Sequence, residues 1–335
     1  MKKKSIYLIA ELATAMFSVT SCFYDNDFES SDKAAELKIS ASLKTLEAQT
    51  RAAYNLQGST LDDYTNIGIY AWYTGNTAAK TSAPAYAGYE NVKVKTATAD
   101  ATSGNFPYTL TPTIASTSDK MYFPTDNADV DVYLYAPYNA SPTQTNMVMD
   151  FTVQADQQEK ADYIASDFLW GKATAPYATT KKAQVTMAHA LTKIIFKVVP
   201  ATGIDVSGMT NITLKTVMKS TTVNLGTGAT TTATNSGNIT VWTSTAGTNT
   251  VSLADTQTNG VAVIIPSQTI AANTTDISVT IGTTTKNVHL PAGTLDPAKV
   301  YSYNLKILGA DLGLELTAIT DWVSGGSATD VEITF

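Results

Sequence analysis

The 335-residue chain carries 29 acidic against 22 basic side chains, a formal charge of −7, with 44% hydrophobic and only 15% charged residues. Its length exceeds that of a usual single domain, and its composition suits a folded protein rather than a disordered one. Beyond Lys2, Lys3 and Lys4, the only adjacent basic pair is Lys181-Lys182, so no stripe exists to neutralise phosphates and a nucleic-acid partner is not expected.

The three lysines precede a mostly apolar stretch at 6–19, interrupted by Glu11, that runs into Cys22. This is the layout of a secretory signal over residues 1–21, too short for a stable membrane span. Val19-Thr20-Ser21-Cys22 resembles a bacterial lipobox, whose cysteine is diacylated on its sulfur before the signal is removed. Cys22 is the only cysteine, so no internal disulfide can form; a buried structural thiol is the other reading of it. Residues 22–36 are acidic and too polar to pack, which predicts a solvated tether. The acidic run after the cysteine also resembles the surface-export signals of Bacteroidetes lipoproteins.

From there on, period-two alternation dominates. Leu37, Ile39, Ala41 and Leu43 make one row; Ile67, Ile69, Ala71 and Tyr73 a second; Val130, Val132, Leu134 and Ala136 a third. Ile277, Val279 and Ile281 repeat the pattern, as do Tyr301, Tyr303, Leu305 and Ile307. Each row predicts a strand with one face inward and one toward water. Turn-forming clusters separate them, such as Pro124-Thr125-Asp126-Asn127 and Leu290-Pro291-Ala292-Gly293. A short helix is expected within 162–170. Over 184–199 the apolar phase switches near Thr192-Lys193, which predicts either a β-bulge or a strand buried on both faces. The Thr/Ala/Gly-rich stretch at 226–237 reads as an exposed loop or hairpin tip. At the end, Val331, Ile333 and Phe335 alternate with Asp330, Glu332 and Thr334. Many strands with almost no helix predict an all-β fold of sandwiches or open barrels with Greek-key connections. A boundary in 176–182 would give two halves, 37–181 and 182–335.

Chemistry-bearing patterns are sparse. His189 lies on an apolar row and reads as a structural histidine, while His289 should point away from Val288 and Leu290, to solvent. No metal, nucleophile-elbow or phosphate-loop motif is present, so neither a cofactor nor an enzymatic activity is expected. Asp156, Asp162 and Asp167 could pair as glycosidase carboxylates or simply sit on a surface loop. Asp126, Asn127, Asp129 and Asp131 could hold calcium, without the EF-hand's central glycine and terminal glutamate. Tyr70, Trp72, Tyr86 and Tyr89 could form a sugar-binding platform or be ordinary sheet residues.

Several stretches form an ordered set: Gln49-Thr50-Arg51-Ala52-Ala53, Asn66-Ile67-Gly68-Ile69-Tyr70, Met121-Tyr122-Phe123-Pro124, Asp131-Val132-Tyr133-Leu134-Tyr135-Ala136-Pro137-Tyr138, Ala155-Asp156-Gln157, Ser166-Asp167-Phe168-Leu169-Trp170, Ala188-His189-Ala190-Leu191-Thr192-Lys193-Ile194 and Ile319-Thr320-Asp321-Trp322. In order and spacing the set resembles the fimbrillin-like pilus-subunit lipoproteins of Bacteroidales. The resemblance implies two tandem transthyretin-like β-sandwich domains and assembly with other fimbrillin subunits by strand exchange. It also implies a lipidated precursor at the cell outer membrane, later a fimbrium, and a trypsin-like, Arg-specific protease that matures it. Arg51, the only arginine in the chain, matches the cleavage position before Ala52. Cutting there would release the strand carrying Leu37, Ile39, Ala41 and Leu43. Val331, Ile333 and Phe335 are then a candidate donor strand, or else the last strand of their own domain. A surface lipoprotein that binds a glycan without polymerising is the alternative function, and no receptor or sugar can be read from the residues.

Overall fold

The computed structural model describes residues 35–43, 66–74, 89–96, 108–112, 121–140, 144–145, 148–244, 251–309 and 311–322. Cys22, Arg51, Ala52, Tyr86, the signal segment and the row Val331, Ile333 and Phe335 lie outside them.

Strands β1 (Lys38–Leu43), β2 (Ile67–Tyr73), β3 (Val92–Thr96), β4 (Tyr108–Pro112) and β5 (Val130–Ala136) come first, then the short β6 (Gln144–Thr145) and β7 (Val148–Thr152). Helix α1 (Lys160–Ala165) precedes β8 (Leu169–Ala175), β9 (Lys182–His189), β10 (Thr192–Pro200), β11 (Met209–Asn224) and β12 (Thr234–Thr243). Helix α2 (Leu253–Thr258) leads into β13 (Val261–Ile265), β14 (Gln268–Ile270), β15 (Asp276–Ile281), β16 (Thr284–His289), β17 (Gly293–Leu295), β18 (Lys299–Ile307) and β19 (Leu312–Asp321). The fold is all-β, as the alternation predicts.

Seven strands close into a barrel in the order β1-β4-β3-β2-β5-β8-β9, sealed by β1 lying parallel to β9. A four-stranded sheet, β13-β10-β18-β19, faces a six-stranded one in which β16-β15-β11-β7-β6 are joined by β12 on β11. Strand β11 is long enough to serve two partners besides β12. Its first half pairs with β15 and its last residues with β7, so a strand from early in the chain completes the later sheet. Between the halves the register shifts, and Thr216 adopts a left-handed φ of 57° that a β-branched residue rarely takes. The Asn238 side chain accepts from the Thr216 N–H and the Thr275 hydroxyl donates to its carbonyl, which fixes the bend.

Two cores result. The barrel interior takes the inward rows of β1, β2, β3, β5 and β9, including Ile39, Ile69, Val94, Leu134 and Val185. The second core takes the facing rows of the later sheets together with the opposite rows of β2 and β5. Here the structure corrects the expectation of one wet face. Tyr70, Trp72, Tyr133 and Tyr135 are all 2% exposed or less. They lead through Phe168 to Phe151 of β7 in successive ring contacts of about 5–6 Å. Alternation cannot distinguish water from a second sheet, and aromatic rows bury well against either.

The phase switch near Thr192 is also resolved differently from either expectation. It is a strand break: β9 ends in the barrel at His189, and β10 begins the four-stranded sheet at Thr192. The predicted helix is α1, one and a half turns starting slightly early, and Leu169 already belongs to β8.

Candidate functional site

Strand β1 closes the barrel. Leu37, Ile39, Ala41 and Leu43 are all buried in the barrel core, at 0–7% exposure. Six residues, Lys38 to Leu43, are in register with Lys182 to Met187 of β9, whereas only Ser40 and Ala41 are in register with β4. Ahead of the strand, the Leu37 N–H donates to Met121 O and the Phe123 N–H to Ala35 O, both at 2.8 Å. Three large side chains at ~1.5–3 kcal/mol each give on the order of 5–9 kcal/mol of gross burial. That is comparable with the whole net stability of a domain, so a vacated slot would not persist empty.

A second constellation forms where the barrel meets the later sheets, and three of the quoted motifs converge on it. His189 Nδ1 lies 2.8 Å from Asp167 Oδ1, and both side chains are fully enclosed. The His189 ring stacks on Trp322 at 3.9 Å between centroids and 5° between planes. Lys193 is 2% exposed, with its Nζ 5.8 Å from the ring centroids of both Tyr163 and Trp322. Burial pulls the Lys193 ammonium down to about 8, opposed by the Asp167 carboxylate. Burial also pushes the Tyr163 phenol well up. The backbone ties the same segments together: the Ala190 N–H donates to Phe168 O, Ala298 N–H to Leu191 O, and Trp322 N–H to Ala298 O. Aspartate, histidine and lysine together could do acid–base work, but no substrate can reach groups sealed this completely. The arrangement is a charged clamp on the seam.

Two further motif residues clasp the seam in ways the sequence did not signal. Gln157 is fully buried, its amide donating to Ile264 O and accepting from Ile264 N–H, each at 2.8 Å. A side chain thus completes the hydrogen bonding of β13, while Gln157 N–H donates to Thr240 O of β12. Trp170 of β8 donates from its indole to Leu225 O at 2.7 Å and lies against Gly228. A Cβ at Gly228 would come within 2.5 Å of that indole, and its φ of +75° also favours glycine. The low-complexity turn is exposed along most of its length but pinned at this end.

The remaining candidates fall apart as sites. Asp131 is buried and engaged by Lys172 Nζ at 3.0 Å and Thr174 Oγ1 at 2.7 Å. Asp126 and Asp129 accept from the Ala128 and Tyr177 backbone N–H groups. Among the described residues no cluster of three histidine, cysteine or carboxylate side chains could hold a metal. Asp156 accepts from Gln158, Asp162 sits in the first turn of α1, and Asp167 is enclosed against His189. Tyr70 and Trp72 are core residues rather than an exposed sugar platform, and Tyr89 accepts from the Tyr122 N–H. His289 is exposed and lies 2.5 Å from Asp276, as its position beside Val288 and Leu290 predicts.

The fold has close parallels among solved structures. A candidate cell adhesion protein from Bacteroides ovatus is similar at 16% identity with a TM-score of 0.61, over 87% of this chain and 99% of its own. One from Bacteroides uniformis is similar at 18% identity and a TM-score of 0.59, over 87% and 99%. A fimbrial protein from Bacteroides vulgatus is similar at 13% identity and 0.53, over 85% and 99%. No curated protein matches the sequence. The model of the fimbrillin-like family matches residues 50–322, a span that holds the aromatic rows, the Gln157 bridge and the Asp167–His189–Lys193–Trp322 clamp. The chain belongs to the fimbrillin-like family.

Proposed function

We propose that this protein is a structural and adhesive subunit of a cell-surface pilus, made as a lipoprotein and assembled by strand exchange. Cys22 would carry the lipid that holds the precursor at the outer membrane. An Arg-specific, trypsin-like protease would hydrolyse the Arg51–Ala52 bond, releasing the tether and β1 together. Another fimbrillin subunit would then supply the strand that closes the barrel. The barrel and the later pair of sheets, rather than ranges divided at 181–182, would act as successive modules along the pilus.

One observation carries this reading: the barrel is closed by its first strand, which lies between β4 and β9 and meets β4 in only two residues. A terminal strand can leave without unthreading the rest of the chain. Its loss exposes an apolar trough and two unpaired backbone edges, which drives re-pairing. The enclosed clamp keeps β8, β9 and β10 in place meanwhile.

Arg51→Ala tests the scheme in cells. The variant should remain membrane-bound and monomeric while the unaltered chain is cut and polymerises. Polymers built from the uncleaved variant would refute the role of Arg51.

A further inference from the structure

β1 fits its slot imperfectly. Ser40 is 1% exposed, and its hydroxyl has no hydrogen-bond partner among the described residues. Its pairing with β9 is parallel, whereas the barrel's other pairings are antiparallel. An unpartnered buried hydroxyl is unfavourable, and parallel ladders are slightly weaker than antiparallel ones. The inward row, in contrast, has a definite shape. Leu37, Ile39 and Leu43 are large, but Ala41, at 0% exposure, is small. In a close-packed interior a bulky side chain at that place forces strain.

Building on the exchange reading above, we infer that the strand replacing β1 comes from a chain other than this one. It carries a small residue at the Ala41 place and an apolar or small one at the Ser40 place. This chain's own alternating row, Val331, Ile333 and Phe335, fits neither demand. The inward slots are those of Leu37, Ile39, Ala41 and Leu43. Seated in those four slots, three consecutive large residues cover the third, whichever way the strand runs, so one of them lands on Ala41. Shifted one place back they cover Ala35 instead, which is also small and buried. In the registers that cover Ala41, Glu332 or Thr334 falls on the enclosed Ser40 place, bringing a polar group that the site does not partner. The incoming strand thus reads large, large, small, large on its inward face, with no charge beside the small residue.

Competition for the slot tests this. The full chain is nicked at its single arginine by an Arg-specific protease and incubated with an excess of labelled peptides. The peptides are 36–44 as it stands, 36–44 with Ser40→Ala, 36–44 with Ala41→Ile, and 327–335. Relative to unaltered 36–44, Ser40→Ala should bind about tenfold tighter and Ala41→Ile about tenfold weaker. The 327–335 peptide should not compete. If 327–335 or the Ala41→Ile peptide bound as tightly as unaltered 36–44, the inference would fail and strand exchange would stand. If even unaltered 36–44 never entered the nicked chain, exchange itself would fail, and the inference with it.

Discussion

Asp167→Asn removes the clamp's negative charge and keeps its shape. Lys193 then keeps the Tyr163 and Trp322 ring faces but loses the carboxylate that opposes its desolvation. Removing one partner of a buried charge pair costs about 3–5 kcal/mol, which would consume much of a domain's stability. The cost depends on pH in a definite direction. Lys193 is lowered from 10.5 to about 8 in the folded chain. Between those values the unfolded chain binds more protons, so this group's contribution to stability rises with pH across that window. Once Lys193 is neutral, Asp167 has less to neutralise. Urea unfolding at pH 6, 7.5 and 9.5 should show the variant less stable by about 3–5 kcal/mol at pH 6. The gap should narrow at pH 9.5, and Lys193→Met should abolish most of that narrowing. A gap independent of pH, or below about 1 kcal/mol throughout, would refute the coupling of Asp167 to Lys193.

Gln157→Leu keeps the volume but leaves both backbone groups of Ile264 unmatched; a loss of about 2–4 kcal/mol in unfolding free energy is expected, with native hydrogen exchange fastest at β13. Trp72→Ala should behave as a core truncation, costing about 3–5 kcal/mol, with glycan-array binding unchanged once the protein is folded. Burial raises the phenols of Tyr70, Tyr135, Tyr163 and Tyr303 and takes Tyr133 to about 12 from 10.0. The folded chain therefore holds protons that the unfolded chain releases above pH 10, so stability should fall steeply there, with absorbance at 295 nm rising together with unfolding rather than before it.

The inward rows of β1, β15 and β18 were legible because each faces one core, and period two is then unambiguous. The rows of β2 and β5 were half legible: Ile67, Ile69 and Leu134 announced their face, while Tyr70 and Trp72 read as outward until a second sheet covered them. The break between β9 and β10 looked like one strand changing phase, because Ala190 and Leu191 carry no turn signal. The clamp was present only as family-like motifs. Nothing local to Asp167, His189, Lys193 or Trp322 says that residues so far apart enclose one another, since that depends on the barrel meeting the four-stranded sheet. Gln157 is the hardest case, for a polar residue in a polar stretch gives no hint that its amide stands in for a strand.

The subunit taken from the assembled polymer carries the most direct evidence. Purified pili should yield an amino terminus at Ala52, and peptide mass mapping should find no trace of residues 37–43. A polymer whose subunits retain β1 in the barrel would contradict exchange, whatever else it adheres to.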